Sequence, residues 1–523
     1  MGRFILALSL GLSLLFAGGA SPVSAAGGGR YVPVTPSRIL DTRTGAGPVQ
    51  VGTTLNLPVV GHGGVPAGAS AVVLNLTVTA PAGAGFLTVW PTGGTMPLAS
   101  SVSFAAGQTV AGLVQVGLGT NGQVSIYAAN TLQLIADVEG WVNPAATGSA
   151  GQFNALSPAR LLDTRYSNQI APAGMVSVAV RGQAGVPATG VSAVVLNLTV
   201  TNPAAGGFIT AWPHDVVPRP LASNINFSAG QTIANRAIVA VGASGLVDFY
   251  NGGGAVDLIV DVSGWFTDAS AATGGDYFAL APTRFLDTRT THTPIGPANM
   301  RALQLSGVNG LPAMGGAGSP SAVVATITVT NPAAGGFVTA WPGGGYARPL
   351  ASDLNWSAGS TVANLVVVAL GPSGVIDLYN GGGTADFIVD VVGYYVGQPL
   401  PPPPAGSVMA TRINQDRSAA GLAPLQWVSC LATIAQGESQ RQANAGAISH
   451  AGGVQLDLGC GYTTAGENVG YWSGGIDDAQ LNTMFMNSPG HRANILNPNF
   501  RVVGTAWVVA PNGYGYISEE FAG

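Results

Sequence analysis

The chain has 523 residues, of which 47% are apolar and 8% are charged, and its formal net charge is −5. A chain of this length is expected to hold several domains, and 77 glycines and 35 prolines favour short strands and turns over long helices. There is no lysine and no basic run. This balance argues against nucleic acid and anionic membranes as partners.

The N-terminus has the pattern of a secretory signal peptide. Met1-Gly2-Arg3 precedes an apolar run over residues 4–17, and small residues follow as far as Ala25 and Ala26. We therefore predict a signal peptide over residues 1–26, cleaved after Ala25 or Ala26. The apolar run is shorter than the roughly 20 residues that cross a bilayer. We expect a secreted protein, extracellular or associated with the cell envelope, without a transmembrane segment.

A threefold repeat fills the middle of the chain. The motif Arg-x-Leu-Asp-Thr-Arg begins at Arg38, Arg160 and Arg284, and its aspartates are spaced by 122 and 124 residues. A Gly-Phe-x-Thr-x-Trp-Pro motif recurs in step with it. A period this long suits whole domains rather than solenoid units. The predicted repeats cover residues 30–143, 152–267 and 276–397.

Within each repeat the pattern is that of β-strands. In the first repeat Val72, Leu74, Leu76 and Val78 alternate with other residues, which predicts a strand with one buried face. Similar short runs give the predicted strands 72–79, 113–118, 124–127 and 132–138. Many short strands with turns between them indicate a β-sandwich or a barrel, and we favour the sandwich.

Two recurring features of the repeats have a structural and a functional interpretation. The Asp-Thr-Arg segments could contact a metal or a glycan, but an Asp beside an Arg more often orders a loop. Trp90, Trp212 and Trp341 could form a sugar-stacking platform, although an aromatic residue in an alternating strand is usually part of the core. The repeats resemble those found beside catalytic or wall-binding domains in secreted actinobacterial proteins, a resemblance that implies no function.

A proline-rich segment over residues 398–405 separates the repeats from the last domain. Its prolines favour a polyproline II spacer of roughly 20 to 25 Å. Residues 406–523 then change character, with helical spacing of apolar residues and two strand-like runs. The predicted helices are 408–419, 431–443 and 478–486, and the predicted strands are 502–509 and 514–521. This domain is predicted to be α/β.

The only two cysteines of the chain, Cys430 and Cys460, both lie in the C-terminal domain. In an exported protein a single pair of cysteines indicates a disulfide. Two separate buried thiols are the alternative, and metal binding by two cysteines alone is a weaker one.

The segment around His491 has the features of a site. Ser488 followed by Pro489 predicts a helix start, with the serine hydroxyl accepting a hydrogen bond from a free backbone N–H. His491 then lies in the first turn, where the helix dipole disfavours the imidazolium and leaves a neutral ring able to accept a proton or bind a metal. A structural histidine fixed by a neighbour is the alternative.

Several motifs in order resemble those of the CAP superfamily in its bacterial secreted (SCP/PR-1-like) form: Ser449-His450, Gly466-Glu467-Asn468, and the segments 488–496 and 516–521. The resemblance implies an α-β-α sandwich with a cleft lined by two histidines and two acids, of which His450, Glu467 and His491 are three. Animal members carry a glutamate just before the second histidine, where this chain has Met486-Asn487-Ser488. Glu519 or Glu520 is the candidate fourth acid.

Two function classes follow from this resemblance. The first is a non-catalytic module whose cleft binds a small ligand or a weakly held divalent cation such as Zn²⁺ through His450 and His491, presented by the β-repeats. The second is a metal-assisted hydrolase in which His450 or His491 activates water and Glu467 relays the proton. Lipid or sterol binding is a third. We favour the first function class, and we expect a monomeric protein whose partner is a cell-wall glycan, a lipid or a small extracellular ligand.

Overall fold

The computed structural model describes residues 28–271, 274–316, 318–344, 346, 348–400, 407–450 and 452–523. The predicted signal peptide and residues 401–405 of the predicted spacer lie outside this part of the chain. None of the helices within it is long and apolar enough to cross a membrane.

The first repeat is a sandwich of two four-stranded sheets. One sheet has the strand order β1-β8-β3-β6 and the other β2-β7-β4-β5, with every pairing antiparallel. A single 3₁₀ turn (Thr120–Gly122) precedes β7. The strands are β1 (Arg30–Asp41), β2 (Thr53–Pro58), β3 (Ala71–Thr79), β4 (Gly85–Pro91), β5 (Val102–Phe104), β6 (Val110–Gly117), β7 (Gln123–Ala128) and β8 (Gln133–Asn143). The predicted sandwich and its four predicted strands are confirmed.

The second and third repeats have the same two-sheet topology. The second consists of β9 (Phe153–Asp163), β10 (Met175–Ala179), β11 (Val191–Thr201), β12 (Gly207–Pro213), β13 (Ile225–Phe227), β14 (Ile233–Ala240), β15 (Leu246–Asn251) and β16 (Asp257–Thr267), with a 3₁₀ turn at Thr164–Tyr166. The third consists of β17 (Tyr277–Asp287), the one-turn helix α1 (Thr288–Thr291), β18 (Met300–Gln304), β19 (Pro320–Thr330), β20 (Gly336–Pro342), β21 (Leu354–Trp356), β22 (Val362–Ala369), β23 (Val375–Asn380) and β24 (Asp386–Val396).

Strand β3 is buried on both faces. The alternating residues Val72 and Leu74 lie between the two sheets, as predicted. Val73 and Asn75 on the opposite face are equally inaccessible to solvent. The prediction of one buried face is therefore incomplete, because the second face packs against the neighbouring repeats.

The three repeats share a central aromatic core. Tyr31, Phe153 and Tyr277, from the first strand of each repeat, are joined there by Phe266 and Tyr395. The ring centroids of Phe153 and Tyr395 are 4.2 Å apart, and those of Tyr31 and Phe266 are 4.5 Å apart. Each repeat thus has an inner face that only its two neighbours cover.

The Asp-Thr-Arg segment orders its own loop in every repeat. Asp41 accepts hydrogen bonds from the guanidinium of Arg43 at 2.6 and 2.9 Å, and Asp163 and Asp287 pair in the same way with the arginines two residues later. Hydrogen bonding from Arg289 lowers the pKa of Asp287 to about 2. The structural interpretation of this motif accounts for its contacts.

The first arginine of each motif closes a ring of repeats. Arg38 donates to the backbone oxygen of Leu221 in the second repeat at 2.9 Å. Arg160 donates likewise to Leu350 in the third repeat, and Arg284 to Leu98 in the first. The repeats therefore meet at three equivalent contacts, which we name the 1–2, 2–3 and 3–1 junctions.

The chemistry of the junctions differs. At the 1–2 junction the buried Glu139 accepts a hydrogen bond from Asn224 at 2.7 Å. At the 2–3 junction Arg236 and Asp353 form an ion pair of 2.6 Å with side chains 1% and 3% exposed. Leu113 and Leu365 occupy the position of Arg236 in the other repeats. Each junction therefore fits one particular pair of repeats.

The recurring tryptophans belong to the core. Trp90, Trp212 and Trp341 are all buried. Their indole N–H groups donate to backbone oxygens at 3.0, 3.2 and 3.0 Å. These side chains do not form a sugar-stacking platform.

The C-terminal domain is an α-β-α sandwich. Its sheet has the order β25-β27-β28-β26, in which only β25 runs parallel to its neighbour. Its elements are α2 (Ser407–Ala419), β25 (Gln426–Trp427), α3 (Ser429–Ala445), α4 (Gly453–Leu458), β26 (Ala465–Trp472), α5 (Asp478–Asn487), α6 (Pro489–Ile495), β27 (Val502–Val509) and β28 (Gly515–Ala522). The predicted α/β class is confirmed, and all five predicted elements are present.

The two layers beside this sheet differ in polarity. Helices α2, α5 and α6 cover one face with an apolar core that includes Phe485 and Ile517. Helices α3 and α4 cover the other face, where buried acids replace much of the apolar packing: Glu438, Asp457, Glu467 and Glu520. Buried carboxyl groups cost stability unless they are paired or protonated. This layer is therefore a candidate location for a functional site.

The predicted disulfide between Cys430 and Cys460 is present and links the start of α3 to the segment after α4. It closes a loop with a sequence separation of 30 residues, which the chain-entropy model values at about 3 to 4 kcal/mol. We expect the double variant Cys430→Ser, Cys460→Ser to lose that stability in urea denaturation. Reductant should destabilise the wild type and leave the variant unchanged. A double variant as stable as the oxidised wild type would contradict this prediction.

Candidate functional site

His450 and Glu467 form a hydrogen-bonded pair at the edge of the sheet. His450 lies in the loop between α3 and α4, and Glu467 lies on the edge strand β26. The Nδ1 atom of His450 is 2.6 Å from Oε2 of Glu467, and the two side chains are 61% and 1% exposed. A carboxylate at Nδ1 favours the tautomer with the proton on that nitrogen. The Nε2 lone pair of His450 is then left for a ligand.

His491 is the third residue of α6, in the first turn as predicted, and Pro489 is the first. Ser488 is the N-cap residue, but its side chain makes no capping hydrogen bond, so that part of the prediction is wrong. The ring packs against Phe485 with centroids 4.7 Å apart. Burial lowers the pKa of His491, and the nearby His450 lowers it further. The ring is favoured as neutral, with burial rather than the helix dipole as the largest cause.

Two asparagines hold α6 against β26. Asn468 donates to the backbone oxygen of His491 at 3.2 Å and to Oε2 of Glu519 at 2.8 Å. Asn494 donates to Oδ1 of Asn468 at 2.9 Å and to the backbone oxygen of Glu467 at 3.1 Å. These amides fix the position of His491 relative to the His450–Glu467 pair. This role of the two asparagines was not predicted from the sequence.

The strand register distinguishes the two candidates for the fourth acid. Glu520 lies directly opposite Glu467, and Glu519 lies opposite Asn468. Because side chains alternate between the faces of a sheet, Glu520 shares the face of Glu467 and Glu519 points to the α6 side. The hydroxyl of Ser518 donates to Glu520 at 2.6 Å and lies 3.5 Å from Oε1 of Glu467. Glu520 is the better placed of the two.

A further acid, Asp457 on α4, was not predicted from the sequence. It is fully buried, and burial raises its pKa. Burial and the neighbouring charge of Asp457 also raise the pKa of Glu520. One proton shared between Asp457 and Glu520 relieves this repulsion. The available signal was an isolated acid, seven residues after His450, in a stretch whose other residues are glycine or apolar except Gln455.

A metal bound in this cleft would have few protein ligands. Across the described ranges, no three or more histidine, cysteine, aspartate or glutamate side chains are grouped so that they could hold a metal ion. The carboxyl group of Glu467 is already bonded to His450. The donors that suit a divalent cation are therefore the imidazoles of His450 and His491, and a two-histidine site is weaker than a three-ligand zinc site.

The cleft offers no activated nucleophile. Among the described residues, the ring nitrogens of His450 and His491 contact no serine or cysteine within hydrogen-bonding distance. Ser449 accepts a hydrogen bond from Arg441, and Ser518 is buried and bonded to Glu520. The arrangement can accept a proton or a ligand at His450, and its described residues place no serine or cysteine where a covalent mechanism would need one.

Comparison with known proteins identifies this domain. The family profile described as "CAP: Cysteine-rich secretory protein family" matches residues 410–521. Residues 410–521 form a CAP domain. The CAP domain is also 36% identical over 102 residues to "Uncharacterized protein YkwD" of Bacillus subtilis (strain 168). That match spans 18% of the chain and 39% of the length of YkwD.

Solved structures are similar to a part of the chain. An extracellular protein containing a SCP domain from Bacillus anthracis is 23% identical with a TM-score of 0.20, covering 27% of this chain and 53% of that one. An outer surface protein from Borrelia burgdorferi is 16% identical with a TM-score of 0.21, covering 22% of this chain and 89% of that one. The CAP domain points to an extracellular type of protein, and the disulfide is consistent with export.

Proposed function

We propose that the protein is an extracellular binding module whose CAP cleft captures a small ligand or a divalent cation through His450 and His491. The observation that carries this proposal is the hydrogen bond between Nδ1 of the exposed His450 and the buried Glu467. A carboxylate on the far nitrogen orients an imidazole and fixes its tautomer, as it does for metal-binding histidines.

The protonation state of the His491 imidazole supports the same function. The lowered pKa of His491 keeps its imidazole neutral, and only a neutral ring can accept a hydrogen bond or a metal. Asn468 and Asn494 hold α6 against β26, so the two histidines are presented from a rigid frame. A weak site of two imidazoles favours reversible capture over a permanently held metal.

A metal-assisted hydrolase remains the alternative for the same cleft. It would use His450 as a general base oriented by Glu467, and a bound cation would supply Lewis acidity. The absence of an activated serine or cysteine among the described residues leaves water as the nucleophile. Turnover of a substrate by the zinc-loaded chain that is lost in His450→Ala would replace the binding proposal with this one.

Titration of the full chain with Zn²⁺ by calorimetry tests the proposal. We expect His450→Ala and His491→Ala each to weaken binding at least tenfold, and Glu467→Gln to weaken it by about 10- to 100-fold as a residue behind the ligand. His214→Ala is the matched control, because His214 also pairs with a carboxylate, that of Asp248, but lies in the second repeat. Binding should fall in acid as the rings become protonated.

The outcomes separate clearly. Equal affinity in the wild type and both histidine variants would exclude a shared site. Loss of binding in His214→Ala as well would locate the Zn²⁺ outside the cleft.

A further inference from the structure

The ring of repeats has an equivalent groove at the 2–3 and 3–1 junctions. At the 2–3 junction Arg348 lies in this groove, with its guanidinium carbon 3.7 Å from the centroid of the Tyr379 ring. Arg219 occupies the same position in the second repeat, 4.1 Å above Tyr250. A guanidinium stacked on a tyrosine is a stable arrangement that fills the groove.

The 3–1 junction departs from this pattern at three positions. The first repeat has Met96 where the others have an arginine, and Ser103 where the others have Asn226 and Asn355. The third repeat has Thr326 where Asn75 and Asn197 donate across the other junctions. All three changes remove polar contacts or side-chain volume from one junction.

A large cavity lies at that junction, and Gln231, Thr232 and Ile233 of the second repeat complete its lining. Its volume is about 980 Å³, against about 290 Å³ for the groove at the 2–3 junction. Ligand sites range over about 300 to 1,000 Å³, so this cavity is at the upper end. It has room for a ligand of several sugar units or of similar size.

The walls combine apolar surface with hydrogen-bonding groups. Phe86, Leu98 and Trp356 contribute apolar faces, and Ser103, Gln108 and Gln231 contribute polar groups. Ser103 is only 6% exposed, and its hydroxyl has no hydrogen-bond partner in the described part of the chain. A buried hydroxyl without a partner is costly, so the wall of the cavity is less well packed and bonded at Ser103 than at the asparagines of the other repeats.

The charge at the rim argues against an ionic ligand. Arg284 and Arg289 line the cavity, and both are paired with Asp287 at 2.9 and 2.7 Å. An anion would have to displace Asp287, and a cation would meet the two arginines. A neutral ligand with apolar faces and several hydroxyl groups fits this lining best.

We propose that the cavity at the 3–1 junction binds a neutral oligosaccharide. A sugar ring presents C–H faces that pack on the exposed Phe86 and Leu98, and hydroxyl groups that reach the glutamine amides. The side-chain oxygens of Gln108 and Gln231 accept hydrogen bonds from the backbone N–H groups of Ala105 and Ser228. The amide N–H groups of both glutamines are therefore available to donate to a ligand. This site lies in the repeats and is independent of the CAP cleft.

Calorimetry of the full chain against a panel of neutral hexasaccharides tests the proposal, with linear oligomers of glucose, mannose, galactose, arabinose and N-acetylglucosamine as probes. We expect at least one to bind and Met96→Arg, which restores the arginine of the other repeats, to weaken that binding at least tenfold. Ser103→Asn should act in the same direction. Met175→Arg, an equal change at an exposed methionine of the second repeat, should leave binding unchanged.

Thermal melts of each variant establish that it is folded before binding is compared. If Met96→Arg is not folded, Ser103→Asn takes its place in the binding test. The proposal is overturned if none of the probes binds at millimolar concentration, or if Met96→Arg and Ser103→Asn bind as the wild type does. An equal loss in Met175→Arg also overturns it. A fluorescent fatty acid that binds in their place and is excluded by Met96→Arg would make the cavity a site for an acyl chain.

Discussion

Arg236→Ala is expected to lower the free energy of unfolding of the repeat ring by about 3 to 5 kcal/mol, because removing one partner of a buried ion pair leaves the other charge uncompensated. The side chains of Arg236 and Asp353 are almost fully buried, and their charged atoms are 2.6 Å apart. Arg236 also donates to Ser263 at 3.2 Å. No solvent can replace these contacts at the centre of the ring.

The neighbouring repeats supply the control. The double variant Arg236→Leu, Asp353→Asn introduces the leucine found in the first and third repeats and the asparagine found in the second repeat at the position of Asp353. Replacing a buried ion pair by well-packed neutral groups is often harmless, so this variant should be close to wild type in urea denaturation. If Arg236→Ala were no less stable than the double variant, the ion pair would not hold the junction.

Glu519 is expected to make the CAP domain less stable as pH rises from about 4.5 to about 8. Burial raises the pKa of Glu519 from 4.5 to about 8. Between these pH values the folded chain keeps a proton on Glu519 that the unfolded chain has released. The contribution of Glu519 to stability is therefore largest below pH 4.5, the pKa in the unfolded chain, and it is lost as pH rises to about 8, the pKa in the folded chain. A shift of this size corresponds to a loss on the order of 5 kcal/mol.

Glu519→Gln should remove this pH dependence, because a glutamine oxygen can still accept the hydrogen bond from Asn468 and carries no proton to lose. Amide hydrogen exchange of β28, measured at pH 5, 6.5 and 8 and corrected for intrinsic rates, reports the stability of the CAP domain at each pH. Glu139→Gln is the matched control, since burial also raises the pKa of Glu139 to about 8 but this residue lies in the repeats. The explanation fails if β28 protection in Glu519→Gln still falls with pH as steeply as in the wild type.

The local fold was largely predictable, and the way the repeats assemble was not. The period-two pattern around Val72 identified β3, because alternation reports burial between two sheets of the same repeat. The ring depends on Tyr31, Arg38 and Arg236, whose partners lie in other repeats more than 100 residues away. A side chain that contacts a neighbouring domain leaves no periodicity in its own strand, so the pattern alone could not reveal the shared core.

The candidate site was predictable where it depended on motifs and not where it depended on register. His450, Glu467 and His491 stand in recognisable segments, and the hydrogen bond of His450 to Glu467 agrees with grouping them. Choosing between Glu519 and Glu520 required the pairing of β28 with β26, since a shift of one residue exchanges the two faces. Asp457 lies on a helix of only six residues, which is too short to give a helical signal of its own.

Closure of the ring fixes the number of repeats. In a solenoid each unit contacts only its neighbours along the chain, so copies can be gained or lost with little penalty. Here the third repeat returns to the first through Arg284 and Leu98, and losing a copy would leave an arginine without its acceptor and the aromatic core open to water. The segments Ala71–Thr79 and 193–201 have the same sequence, yet each is fitted to a different pair of neighbours. Removing one repeat from the closed ring therefore costs more than removing one unit from an open array.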